Sequence, residues 1–192
     1  MIILKDIKIE NINNKSRLCA NIEYNNKTDK LWYEVENKFE KYLCYERADC
    51  FLVAILLFAM EHKEDIKILG TPVTSKLFFN IKKYIIPAFA KLNGKYNSIN
   101  IFCEVSNKVL DNFNYNGTGI SRGVDSFCTL KELTIDCPDD LKVNCLTFFN
   151  VGSHKDFGGE EGRELFNKRK ELSKKVAIEN GFEFIDVDSN IS

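Results

Sequence analysis

The stretch "NGTGISRGVDSFCTL", residues 116–130, decides how the second half of the chain is read. Gly117, Gly119, Ser121, Gly123, Asp125 and Ser126 stand at the entrance to a segment that predicts a helix over 125–133, with Phe127, Leu130 and Leu133 on one side. Glycines let the backbone turn tightly and approach an anion closely. The first N–H groups of the following helix lack internal partners, and the helix dipole adds positive potential there. Two phosphate motifs are excluded. No Gly-Lys-Ser or Gly-Lys-Thr follows, and the glycine spacing misses G-x-G-x-x-G by a residue. Three readings stay open: a working phosphate loop, a damaged one, or a plain turn with Ser121 or Asp125 as helix N-cap.

Downstream, "KVNCLTFFNV" (142–151) is apolar enough for a strand buried on both faces, as in a parallel sheet. Residues 158–180 read as a long helix with Leu165, Leu172 and Val176 inward, stopped by Gly181, and "FEFIDVD" (182–188) as the next strand. The basic run "RELFNKRKELSKK" (163–175) alternates with glutamates and reads as a solvated helix face. The βαβαβ order predicts an α/β fold, the first part of a doubly wound parallel sheet.

Upstream, strands at 2–9, 17–24 and 30–35 are separated by Asn-rich turns, as in antiparallel hairpins. Residues 48–61 read as a buried helix, and "DIKIL" (65–69) as a strand ending at Gly70. A second helix, capped by Thr74 or Ser75, carries the stripe Leu77, Ile81, Ile85 and Phe89, which Pro87 should kink or end early. "SINIFCEV" (98–105) reads as one strand. The polar segment 106–116 is the candidate boundary. It gives a strand-rich α+β N-terminal domain over 1–110 and an α/β domain over 111–192.

The composition, 44% hydrophobic and 29% charged over 192 residues, suits a soluble globular chain. A net charge of −1 supplies no global field for nucleic acid or an anionic membrane. Seven cysteines without a C-x-x-C pair point to free thiols in a reducing cytoplasm, and the sequons at Asn14, Asn26 and Asn116 then read as coincidental. "MIILKDIKIE" lacks the pattern of a signal peptide, and the apolar run 51–60 falls short of the ~20 residues of a membrane span. Cys128 is expected to pack inward, Trp32 and Tyr33 to be core or hairpin residues, and His154 to be a solvated loop residue. With only His62 beside it, no histidine-rich metal site is expected.

"SRGVDS" (121–126) resembles the S-G-G-x-D-S pyrophosphate loop of the N-type ATP pyrophosphatases, the PP-loop family. Five of six positions agree, counting the free one that Val124 fills, and the likeness runs over roughly 115–190, including "AIENGFEFIDVDSN". The resemblance implies a Rossmann-like HUP domain that binds ATP and Mg²⁺ and transfers AMP to an unknown small-molecule acceptor, releasing pyrophosphate. That is the chemistry of an adenylating ligase, as in asparagine synthase-like enzymes. It further implies that Ser121, Gly123 and Ser126 grip the pyrophosphate, with Gly119, Arg122 and Val124 in the same nucleotide-binding loop. Asp125 becomes the catalytic residue that helps hold magnesium, and Phe148 and Phe149 lie near the adenine.

Arg122 replaces the first glycine of the family's pair, where its side chain blocks the approach to phosphate or, as a cation, clamps it. Family domains also continue for two more strands, whereas this chain stops at Ser192, after its third. The first strand, central in the family, is then expected at an edge unless N-terminal strands cover it. A missing C-terminal part or a protein partner would complete the sheet. The alternative function is a non-catalytic interaction module whose partner does so.

Overall fold

A computed structural model describes residues 1–92, 94–111, 115–135, 137–151 and 160–191. The fold is mixed α/β, with strands paired both parallel and antiparallel. Two compact units emerge. The first comprises Met1–Asn11, Arg17–Trp32 and Leu43–Val109, the second Ile12–Ser16, Tyr33–Tyr42 and Leu110–Ser192. No helix among the described residues is long and apolar enough to cross a membrane.

β1 (Ile2–Ile12), β2 (Lys15–Tyr24) and β3 (Lys27–Glu36) follow one another in the sheet, the β1–β2 turn and the last residues of β3 falling in the second unit. Each connection is a two-residue turn, with φ of 49° and 63° at Asn13 and Asn14, and 51° and 57° at Asn25 and Asn26. Two successive left-handed residues match the twist of a hairpin, and asparagine tolerates that backbone better than other side chains. The Asn-rich segments therefore act as the sequence predicts. α1 (Asp49–His62) buries Phe51, Leu52, Ile55, Leu56, Ala59 and Met60 but leaves Val53, Leu57 and Phe58 exposed. The helix expected to be buried is covered on one side only.

β4 (Ile66–Ile68) runs parallel to β1 and ends before Gly70, whose φ is 78°. β5 (Val73–Thr74) leads into α2 (Ser75–Asn80), a π-helical turn at Ile81–Ile85, and α3 (Ile86–Leu92). The expected stripe is corrected here. A π turn adds a residue, so the inward position after Ile81 is Ile86, and Ile85 is exposed. The helix continues past Pro87 to Leu92. The proline ring would crowd the carbonyl four residues back, and the wide turn ahead of it relieves that crowding. The expected strand at 98–105 is broken into β6 (Ile101–Phe102), beside β4, and β7 (Val105–Ser106), beside β5.

The second unit carries β8 (Gly117–Gly119), α4 (Val124–Glu132), β9 (Cys145–Phe149), α5 (Glu160–Glu179) and β10 (Glu183–Ser189). β8, β9 and β10 are parallel, and the end of β3 pairs antiparallel with β10, Glu34 opposite Asp188. The order is β3-β10-β9-β8, so β8 is a terminal strand and the N-terminal contribution joins the other side. One core holds Ile120, Leu130, Val143, Leu146, Phe148, Phe166, Ala177 and Phe184. Leu130 comes from α4, and Phe166 and Ala177 from α5, all against the strand face of Leu146, Phe148 and Phe184. Both helices therefore pack against this one core.

The inward face of α5 also departs from expectation. It consists of Gly162, Phe166, Ser173 and Ala177, while Leu172 is 43% exposed and Leu165 and Val176 only flank the core. Phe166 stacks on Phe148 with ring centroids 5.6 Å apart, and the small residues let the helix lie close to the sheet. Cys128, expected inward, is exposed, because Leu130 holds the buried position of α4. No disulfide joins any of the seven cysteines, and burial pushes the thiols of Cys19, Cys50 and Cys145 up to about 11, 12 and 11. Gly181, with φ 75°, ends α5 as predicted, its N–H donating to the carbonyl of Ile178 and that of Phe182 to Ala177. His154 and the expected helix start at Gly158 lie outside the described residues.

β8 pairs with β9 at Gly117, where a Cβ would lie 3.0 Å from Cys145 Sγ and 3.3 Å from Thr147 Cγ2. Gly117→Ala is therefore expected to destabilise the protein by about 1–3 kcal/mol in urea unfolding. Adding Cys145→Ala should recover part of that loss. An unaltered midpoint for Gly117→Ala would contradict this packing.

Candidate functional site

The loop leaves the carboxyl end of β8 through Ile120, whose N–H donates to Thr147 O at 3.0 Å and whose side chain enters the core. Beyond it the chain turns at Arg122, with φ 64°, and enters α4 at Val124. The helix N-cap is Gly123, with no side-chain cap, so neither Ser121 nor Asp125 fills that role. The left-handed conformation belongs to Arg122, where the family has glycine, while Gly123 is not left-handed. Outside glycine, asparagine and aspartate, that backbone costs about 1 kcal/mol or more.

The two serines close the turn on itself. Gly123 N–H donates to Ser121 Oγ (3.3 Å), Ser121 Oγ to Ser126 Oγ (3.3 Å), and Ser126 Oγ to Gly123 O (2.9 Å). A hydroxyl has one proton, so both serine donors are engaged inside the loop. Asp125 is exposed in the first turn of α4, where a carboxylate is favoured by the helix dipole without further explanation.

Beside the loop lies an open cavity of about 650 Å³, lined by Gly119, Ile120, Ser121, Arg122, Thr147, Phe148, Phe149 and Arg169. Of the sequence-predicted residues it gathers Gly119, Ser121, Arg122 and Phe149, with Phe148 beside them. Gly123, Val124, Asp125 and Ser126 are outside its lining. Phe149 presents a half-exposed ring, whereas Phe148 is buried on Phe166. Nothing stands within 4 Å of a Cβ built on Gly119, so this glycine opens onto free space. Among the described residues the lining has two guanidiniums and no carboxylate. Arg122 Nε is buried without a hydrogen-bond partner among the described residues. Leaving such a donor unpaired costs about 1–3 kcal/mol. Among the described residues no group of three His, Cys, Asp or Glu could hold a metal ion.

A polar cluster braces the carboxyl ends of β9 and β10. Asp188 accepts from Asn150 Nδ2 (2.8 Å), Arg163 Nη1 (2.7 Å) and Ser189 N–H (3.0 Å), and Lys170 reaches Asp186 at 3.3 Å. The basic run of α5 is thus not simply solvated, since Arg163 and Lys170 face the strand and Arg169 lines the cavity. Sequence reasoning missed this cluster, although Asp186 and Asp188 alternate on one strand face and two cations recur seven residues apart on the helix before it. Arg169 carries no comparable signal, because nothing in the sequence separates it from Lys168.

No family model, curated protein or solved structure matches this chain.

Arg122→Gly should not lower stability. Release of the left-handed strain is expected to offset the extra chain entropy and leave a gain of up to about 1 kcal/mol in urea unfolding. A loss of stability would show that the arginine side chain holds the loop.

A second expectation concerns pH. Burial pushes the Asp188 carboxyl up, but the bonds from Asn150 and Arg163, the Arg163 charge and the Ser189 N–H outweigh it and hold it below the usual value. A carboxyl depressed by folding stabilises the native state above its unfolded value, near 3.9, and loses that contribution as pH falls further. Asp188→Asn should therefore flatten stability against pH below about 4. Parallel profiles for the two proteins would refute the linkage.

Proposed function

We propose that the cavity binds ATP and that this protein is an AMP-forming, adenylating synthetase of the PP-loop kind, or the remnant of one, with a HUP-type second unit. One observation carries the reading. The "SRGVDS" loop joins the carboxyl end of a parallel strand to a helix beside a cavity with cationic side chains and an aromatic ring. Ligands of α/β sheets bind beyond the carboxyl ends of the strands. The strand order third-second-first, β10-β9-β8, supports the same reading.

The residues suit a phosphate-bearing ligand, since Arg122 and Arg169 both line the cavity and supply guanidinium charge. Phe149 offers its exposed ring to a base. In the family, magnesium screens the phosphates. Here Asp125, the residue that would hold it, lies outside the cavity lining, where two arginines stand instead. The fit for the cation is poor, and no step is assigned to it.

The second reading, a non-catalytic interaction module, draws support from β8. It is only three residues long and terminal in its sheet order, a short edge open to a partner strand. A monodisperse monomer that converts ATP to AMP would dispose of that alternative.

Calorimetric titration with ATP in excess magnesium should give saturable binding. Gly119→Leu, which projects into the open space at Gly119, should weaken it about tenfold or more without altering the fold. An absence of heat at millimolar ATP would end the nucleotide reading.

A further inference from the structure

The cavity differs from a metal-assisted phosphate site in the chemistry of its lining. Among the described residues two guanidiniums border it, Arg122 from the loop and Arg169 from α5, and no carboxylate does. Arg122 occupies a left-handed backbone position and buries its Nε–H without a partner among the described residues. Nothing described in the molecule compensates either cost. Two other cations of α5 are committed elsewhere, Arg163 to Asp188 at 2.7 Å and Lys170 to Asp186 at 3.3 Å. Arg169 makes no ion pair among the described residues. The hydroxyl donors of Ser121 and Ser126 are spent within the loop. Among the described side chains of the lining, the charged groups that can meet an anion are guanidiniums, whose planar N–H pairs match the oxygens of a phosphate and carry permanent charge.

We infer that Arg122 and Arg169 form a clamp that holds the phosphates of ATP with guanidinium charge in place of a divalent cation, so that nucleotide binds without magnesium. The inference rests on the reading of this cavity as an ATP site and changes what that site needs. It makes Arg122 a ligand-binding residue at the position where the family's loop has glycine. It also accounts for Asp125 lying outside the cavity as a helix N-terminal carboxylate.

The test is calorimetry on the whole chain with ATP, in excess EDTA and again in excess magnesium chloride. ATP should bind in EDTA with an affinity within about threefold of that in magnesium, because the charge on the phosphates is met by side chains. Arg122→Gln and Arg169→Gln should each weaken binding in EDTA about tenfold, with partial recovery in Arg122→Lys. Circular dichroism checks the fold of each variant, and Arg169, exposed on α5, serves if a change in the strained loop prevents folding. Binding that requires magnesium, or affinity unchanged in folded variants, overturns the clamp and leaves the nucleotide reading in place. No binding of ATP in either condition removes that reading and the clamp together.

Discussion

Parallel pairing of three strands is the constraint from which the second unit follows. Gly117 lies opposite Cys145, and Cys145 opposite Glu183, so β8, β9 and β10 start at one level. Their carboxyl ends consequently face one region, and the loop after β8 meets the end of β9 there. Thr147 makes the connection twice, by accepting the Ile120 N–H and by lining the cavity. Gly117 has no side chain to meet Cys145 Sγ at that pair. Both helices then pack against one core, where Phe148 stacks on Phe166, and the turn into α4 is set between a buried Ile120 and a buried Leu130.

Within that frame the loop holds a local conflict. Arg122 has the backbone of a glycine and a buried donor without a described partner, while its neighbouring serines bond one another. Local strain of this kind persists where surrounding structure over-determines it, and it concentrates at sites that bind or act. The anchored residues on each side supply the over-determination, Ile120 in the core and Gly123 bonded to Ser121 and Ser126.

Much of the fold was legible because its signals are local. Paired asparagines mark the hairpins through their tolerance of left-handed backbone, and Gly181 marks the end of α5 for the same reason. The alternation from strand to helix around residues 116–130 placed the loop correctly between β8 and α4. What failed depended on packing partners. The leucine spacing of α5 pointed to Leu172, yet the sheet accepts Phe166 with Gly162, Ser173 and Ala177, a choice set by the ring of Phe148. The stripe at Ile85 failed through one extra residue in a π turn ahead of Pro87, a change of phase that residue spacing cannot register. Cys128 looked like an inward residue only while the rotation of α4 was unknown.

The sequence by itself determined where the chain turns and where its elements alternate, and it marked the glycine-rich segment that joins β8 to α4, because each depends on residues adjacent in the chain. Only the tertiary structure decided which members of that segment reach the cavity. It brought Gly119, Ser121 and Arg122 together with Phe149 and Arg169, turned the loop serines toward one another, and left Asp125 outside the lining. The reason is geometric. Strand register and helix rotation fix side-chain direction, and both are set by contacts between residues distant in sequence, such as Phe148 with Phe166 and Gly117 with Cys145.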